Sequence, residues 1–422
     1  MRSVCFVSIV SALALAAAPA DAQTPPTDSP AEAAPATPAE PTPAAAPSTP
    51  APPAEPRPPE PPPAAAPAEP EERDGLTWSG SAEAFYGYNL NNPSNNITAF
   101  RYYDDRHNLF SIQNVLVDAA WRYGRVSGHL RLQLGVYPET FFAPARSLEL
   151  DLLWRLIQEV TIQYRSTVGR GLAVEAGLYV APYTIEDMAT HQNWNWSYSN
   201  LFAAAPFHMA GARVIYPLTP RVQLSGGVYN GWDQIQTDET PYKTALFAMD
   251  WEDGDERFFT AQYSVGVERV RGAPEGARPR HTLDLYGGVQ LSRRWRVRGN
   301  VFAGYEPTVL GAAGWVGVAA YAQVTLRPWL FLAARADVLH ERIPDGAEAL
   351  FLGDGVATIG SGTLTLDARP VDHVSFKLEY RHDESDGDLF YRGAVSRDMT
   401  TMDWIANARR QDTVLAGMSV WF

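Results

Sequence analysis

Between Val126 and Val136 the even positions read Val126, Gly128, Leu130, Leu132, Leu134 and Val136. The odd positions read Ser127, His129, Arg131, Gln133 and Gly135. An oily face alternating with an ionic one is the period of a β-strand, whose successive side chains point to opposite sides of a sheet. The same alternation runs through 172–180, 295–303 and 374–381. About sixteen such segments follow one another, most near the 9–11 residues that a tilted transmembrane strand requires. They begin near Leu76, Asn108, Arg125, Ile157, Gly171, Phe207, Arg221, Tyr242, Arg257, Arg280, Arg294, Gly314, Trp329, Val356, Asp372 and Gln411. Near 112–115 the faces slip, which predicts a β-bulge. No apolar run after Gly75 is long enough for a membrane helix.

The connections carry a second rhythm. Short links rich in turn residues, such as Gly124, 168–170, 218–220, 253–255 and 369–370, alternate with long ones, of which 91–107, 138–156, 182–206 and 383–410 are the largest. Short turns at one end and long loops at the other are the arrangement of a bacterial outer-membrane barrel. In lipid an open sheet edge leaves backbone groups unpaired at several kcal/mol each, so such a sheet must close. The expectation is an all-β fold: a transmembrane antiparallel up-and-down β-barrel of about sixteen strands. Trp78, Tyr123, Tyr216, Trp251 and Trp295 fall on the oily face near the short-turn ends and form an interfacial girdle. At the C-terminus Val414, Ala416, Met418, Val420 and Phe422 are apolar at every second position, resembling the strand signal read by the barrel-assembly machinery.

The first 75 residues are a different polymer. Of 34 prolines, 19 fall between Gln23 and Gly75, and the glycines follow Asp74. Arg2, an apolar run from Val4 to Ala18 and Ala20-Asp21-Ala22 form an export signal over 1–22, with cleavage before Gln23. The run is too short to span a membrane. Residues 23–75 are Pro, Ala and Glu without aliphatic bulk, so they cannot offset the entropy of ordering and form a disordered, semi-rigid periplasmic spacer. The barrel then occupies 76–422. Cys5, the only cysteine, lies in the signal, so the mature chain has no disulfide, thiolate metal site or cysteine nucleophile. The formal charge of −14 carries no basic excess of the kind a nucleic-acid binder shows.

Several clusters resemble the OmpL-like porin-2 family of outer-membrane barrels. They are 100–114, opening Phe100-Arg101-Tyr102-Tyr103-Asp104-Asp105; 193–199, Asn193-Trp194-Asn195-Trp196-Ser197-Tyr198-Ser199; 224–232, ending Tyr229-Asn230-Gly231-Trp232; and Glu379-Tyr380-Arg381-His382-Asp383. The resemblance covers 76–422 and implies an outer-membrane channel of unspecified substrate. The proline-rich spacer departs from the barrel pattern.

A barrel of this size leaves an aqueous lumen, whereas eight strands would be filled by side chains. The expected function is passive diffusion of small polar solutes or ions, without catalysis or cofactor. The inward register predicts a pore lining of Glu83, Asp118, His129, Arg131, Glu175 and Asp284. It continues with Arg294, Arg296, Arg298, Arg335, Asp337, Asp367, Lys377, Glu379 and Arg381. Arg296 and Arg298 form a basic ladder, with Arg335 and Arg381 on later strands. Two arrangements follow: a transverse field across a constriction, or charges neutralised in pairs. The 182–206 loop, with His191, Asn193, Trp194, Trp196 and Tyr198, is the candidate to fold into the pore. Its aromatics would stack on a sugar or pin the loop to the wall, and pinning is the expected role. The 138–156 link is a second candidate, with a short helix at 148–156.

Other classes fit less well. An outer-membrane enzyme would need a nucleophile and base, and neither G-x-S-x-G nor H-E-x-x-H occurs. A plugged 22-strand receptor exceeds the length. A closed or gated barrel serving as an envelope tether or specific transporter is the alternative. The acids Asp383, Glu384, Asp386 and Asp388 lack the ordered spacing of a calcium loop, so no metal site is expected. The implied partners are outer-membrane lipid, the assembly machinery, diffusing solutes, further copies in a homo-oligomer, and peptidoglycan or a periplasmic protein for the spacer.

Overall fold

The computed structural model describes residues 74–138, 155–235, 240, 242–254, 257–353 and 355–422. The export signal, the spacer up to residue 73 and nearly all of the 138–156 link lie outside these residues, and Gly75, expected in the spacer, opens the first strand. Each alternating segment forms a strand within three residues of its expected start. The first half comprises β1 (Gly75–Asn89), β2 (Leu109–Tyr123), β3 (Val126–Leu134), β4 (Ile157–Arg165), β5 (Ala173–Val180), β6 (His208–Thr219), β7 (Val222–Tyr229) and β8 (Thr244–Glu252). The second comprises β9 (Arg257–Gly266), β10 (Arg280–Gln290), β11 (Trp295–Thr308), β12 (Gly311–Arg327), β13 (Leu330–Arg342), β14 (Thr358–Ala368), β15 (Val374–Ser385) and β16 (Arg410–Trp421). A short helix, α1 (Asn200–Ala203), lies within the β5–β6 connection.

The sixteen strands form a single closed antiparallel barrel. Each pairs with its neighbours in sequence, and β1 closes on β16 from Ser81↔Trp421 to Asn89↔Thr413. Phe422 extends the seam through two backbone bonds with Gly80. Closure satisfies the edges that lipid would leave unpaired. The outer face is apolar, as Leu132, Val174, Val301 and Leu378 illustrate, and Trp78, Tyr123 and Trp295 are 60%, 64% and 49% exposed near the short turns. Val414, Ala416, Met418 and Val420 lie on the outer face of β16, opposite in parity to the buried Leu415 and Ser419.

The slip near 112–115 is a bulge: Glu83 pairs with Asn114 and Ala84 with Ile112, leaving Gln113 as the extra residue. The alternation of loop lengths fails once. On the long-loop side β11 and β12 are joined only by 309–310, with Thr308 Oγ1 donating to the Gly311 carbonyl at 2.7 Å. These are strands of 14 and 17 residues, so extra sequence there lengthens the wall instead of the loop. β15 also runs to Ser385, two residues beyond the expected start of its loop.

Candidate functional site

The 181–207 connection does not project outward. Along its course it bonds to the inner faces of β9–β11, β13, and β14–β16 with β1. At its start Gln262 of β9 donates to the Pro182 carbonyl. Thr184 N–H then donates to Asp284 Oδ2 at 2.7 Å, and Ile185 N–H to Asn300 Oδ1 at 3.2 Å. Further on, Thr190 N–H reaches Glu83 at 2.7 Å and Thr190 Oγ1 lies 2.9 Å from Ser419 Oγ. His191 stacks on Trp421 with ring centres 4.4 Å apart. The returning limb places the Trp196 and Ser197 N–H groups on Glu379 at 2.6 and 3.0 Å, and Asn200 N–H on Asp337 at 2.8 Å.

Cations bind its carbonyls. Lys377 Nζ donates to Thr190, Asn193 and Asn195 at 2.6, 2.6 and 3.3 Å. Arg381 donates to the Tyr198 carbonyl at 2.5 Å and Arg335 to the same carbonyl at 3.0 Å. Arg369 reaches the His191 carbonyl at 2.9 Å. Non-helical backbone at membrane depth needs every polar group satisfied by protein or water, and these inward side chains supply partners.

The aromatics anchor the loop. Trp196 is fully buried, donates Nε1–H to Gln113 at 2.8 Å and packs with Phe85 and Leu415. Gln113 can face inward because it is the bulged residue, a common use of bulges. Gly417 makes room for the indole, since a Cβ there would overlap the Trp196 ring. Trp194 lies under the Arg298 guanidinium at 4.3 Å. Tyr198 is buried beside Tyr103 and Phe202. At the C-terminal hinge Asp233 Oδ1 accepts from Phe207 and His208 N–H at 2.7 and 3.2 Å. Burial pushes the Asp233 carboxyl up to about 7, outweighing those two donors.

The opposite wall stays wetter. Asp118 Oδ2 bonds His129 at 2.7 Å and Arg131 at 2.8 Å, and Glu159 lies 3.7 and 3.8 Å from the same pair. Glu175 accepts from Arg213 at 2.7 Å and Gln163 at 2.9 Å. Except for Glu175, these groups are partly exposed. A cavity of about 210 Å³ lies between Arg131 on this wall, Tyr286 on β10 and the 182–188 limb of the loop. A second, of about 80 Å³, shares Pro182 and Tyr286 and extends to Arg213 and Asp250.

The predicted lining therefore divides. Asp118, His129 and Arg131 border partly exposed lumen, as do Arg296 and Arg298, which are half-buried on β11. Glu83, Asp284, Arg335, Asp337, Asp367, Lys377, Glu379 and Arg381 also point inward, but they are buried. All but Asp367 contact the loop directly, and Asp367 holds Arg369 and Ser375. A transverse field that uses Arg335 and Arg381 is thus corrected: loop carbonyls and the carboxylates of Glu186, Asp337 and Asp383 surround them. Arg294 is also corrected. It is exposed in the β10–β11 turn, where its carbonyl accepts from Thr325. Asp383 points inward and Glu384 outward on β15, so they cannot share a cation. Sequence reading missed Arg213 and Glu159, whose strand parity does point inward, and Glu186 and Asp187, which no periodicity marks.

The family model described as "Putative beta-barrel porin-2, OmpL-like" matches residues 75–419. The chain belongs to this family. Among solved structures, the outer-membrane channel DcaP of Acinetobacter baumannii is similar, at 11% identity and a TM-score of 0.52, over 84% of this chain and 99% of that one. The in-vitro folded OmpT of Vibrio cholerae, in its trimer form, gives 6% identity and 0.52 over 82% and 99%. An anion-selective porin from Comamonas acidovorans gives 9% and 0.51 over 83% and 100%. At these identities the likenesses show the fold alone. No curated protein matches the sequence. Membership and the closed barrel together make this porin-2 protein an outer-membrane barrel of the porin type.

Proposed function

We propose that this porin-2 barrel is a narrowed, water-filled channel through which small polar solutes and ions diffuse passively. The observation that carries the reading is the asymmetry of the lumen. The docked 181–207 loop covers the inner face of β13–β16, while the β2–β8 wall keeps partly exposed charged and amide side chains around the cavity beside Arg131. Such a lining provides transport by width and charge and needs no catalytic group or cofactor. The anion preference named for the Comamonas porin does not transfer with the fold.

In this reading the proline-rich spacer lies in the periplasm, available to peptidoglycan or a protein there. The outer face of β16 with Phe422 serves the assembly machinery, and copies associate within the membrane. The test is single-channel recording of purified, folded protein in a planar bilayer. Steps of fixed, modest size support a constricted channel. Silence from protein with the heat-modifiable gel mobility of a folded barrel would transfer the assignment to a closed barrel.

A further inference from the structure

We infer that Asp187 sets the charge preference of the channel and makes it favour cations over anions. The assignment rests on the channel reading above and adds to it the class of solute that passes most readily.

Along the limb from Ala181 to Thr190, Asp187 is the one exposed residue. It borders the cavity of about 210 Å³ into which Arg131 and Tyr286 also face. Its position is fixed locally. Asp187 Oδ1 accepts the Ala189 N–H at 2.7 Å, while Asn193 accepts the Asp187 N–H at 2.8 Å and donates to its carbonyl at 2.7 Å. Asp187 forms no ion pair with a described residue. Its neighbour Glu186 is spent: Arg335 lies 3.0 Å away, and Ser199 donates to it through both N–H and Oγ.

The facing wall adds no surplus of positive charge. Arg131 is shared between Asp118 and Glu159, with His129 in the same cluster. Two carboxylates thus face one guanidinium and one imidazole, which is at best neutral. Among the described residues that line this cavity, Asp187 is therefore the charged group without an ionic partner. Between unit charges roughly 7 Å apart, at an effective dielectric constant close to that of water, one carboxylate attracts the cation and repels the anion by comparable amounts and changes the cation-to-anion ratio on the order of ten-fold.

The experiment is the zero-current potential of single channels across a KCl gradient. Wild type is compared with Asp187→Asn, Asp187→Arg and, as a remote control, Asp398→Asn on the 386–409 loop. The expected result is a cation-selective wild type and control, a ratio lowered about ten-fold in Asp187→Asn, and preference for chloride in Asp187→Arg. Asp187→Ser keeps an oxygen for the Ala189 N–H and serves if the asparagine variant misfolds. Conducting channels whose potential is the same in wild type, Asp187→Asn and Asp187→Ser overturn the assignment while leaving the channel standing. A folded wild type with no conductance overturns the channel itself, and this assignment with it.

Discussion

Trp196 shows how far single residues were legible. Its place in the lumen loop and its pinning role could be anticipated from an aromatic cluster in a long link. Its three supports could not. Phe85 and Gln113 lie on the neighbouring strands β1 and β2, but Gly417 lies on β16, and only the closed register brings it beside them. Replacing a fully buried tryptophan by alanine costs about 3–5 kcal/mol where the site cannot collapse. Trp196→Ala is expected to leave the barrel ladder intact and free the loop. Heat-modifiable mobility should be retained, while single-channel current becomes noisier and its mean conductance rises. Unchanged current noise and conductance would show that the loop stays in place without the indole.

Asp233 supports a second prediction at this scale. Its folded carboxyl is pushed from 3.8 to about 7, so the folded protein binds a proton that the unfolded chain has already released between those values. Its stabilising contribution is complete below about pH 4 and is lost as pH rises to about 7, on the order of a few kcal/mol at most. Asp233→Asn removes that dependence. The measurement is the heating midpoint for loss of folded mobility at pH 5 and pH 8. The wild type should show the larger fall between the two, and equal falls in both proteins would refute the prediction.

At the scale of elements, the strands were the most legible part because each carries its own two-faced pattern and lipid enforces one outcome. The β11–β12 turn was not, since wall and loop draw on the same residues there. The site was half legible. Parity located the inward charges, but nothing in parity says whether an inward residue meets water or a loop. The distinctive clusters gave a clue. Glu379 and Arg381 hold the Trp196–Tyr198 segment, while Arg101 pairs with Asp104 and lies 3.9 Å from Asp383. Three motifs scattered in sequence form one interface between loops and wall. Lys377 belongs to it, with three carbonyls on one ammonium. Lys377→Met leaves those carbonyls unpaired, at about 1–3 kcal/mol for each buried group. The loop is then expected to undock as in Trp196→Ala, with the same electrical signature. A quiet Lys377→Met channel would show that the carbonyls find other donors.

For the whole molecule, the decisive property is closure. The ladder returns from β16 to β1 and begins at Gly75, so the described barrel satisfies its own edges without using the proline-rich segment. Residues 23–73 carry nothing that a strand or core would require, and their polyproline composition resists adding to a sheet because proline donates no hydrogen bond. A chain in which 1–22 is joined directly to 74–422 is therefore expected to reach the outer membrane, show the same heat-modifiable mobility and conduct in the same steps as the full chain. The comparison is made in membranes and in bilayers, because the two readouts separate assembly from pore geometry. Loss of the folded form alone would assign the segment to biogenesis. Folded protein with altered steps would place the segment at the channel mouth instead. Either result would contradict a spacer that is independent of the barrel.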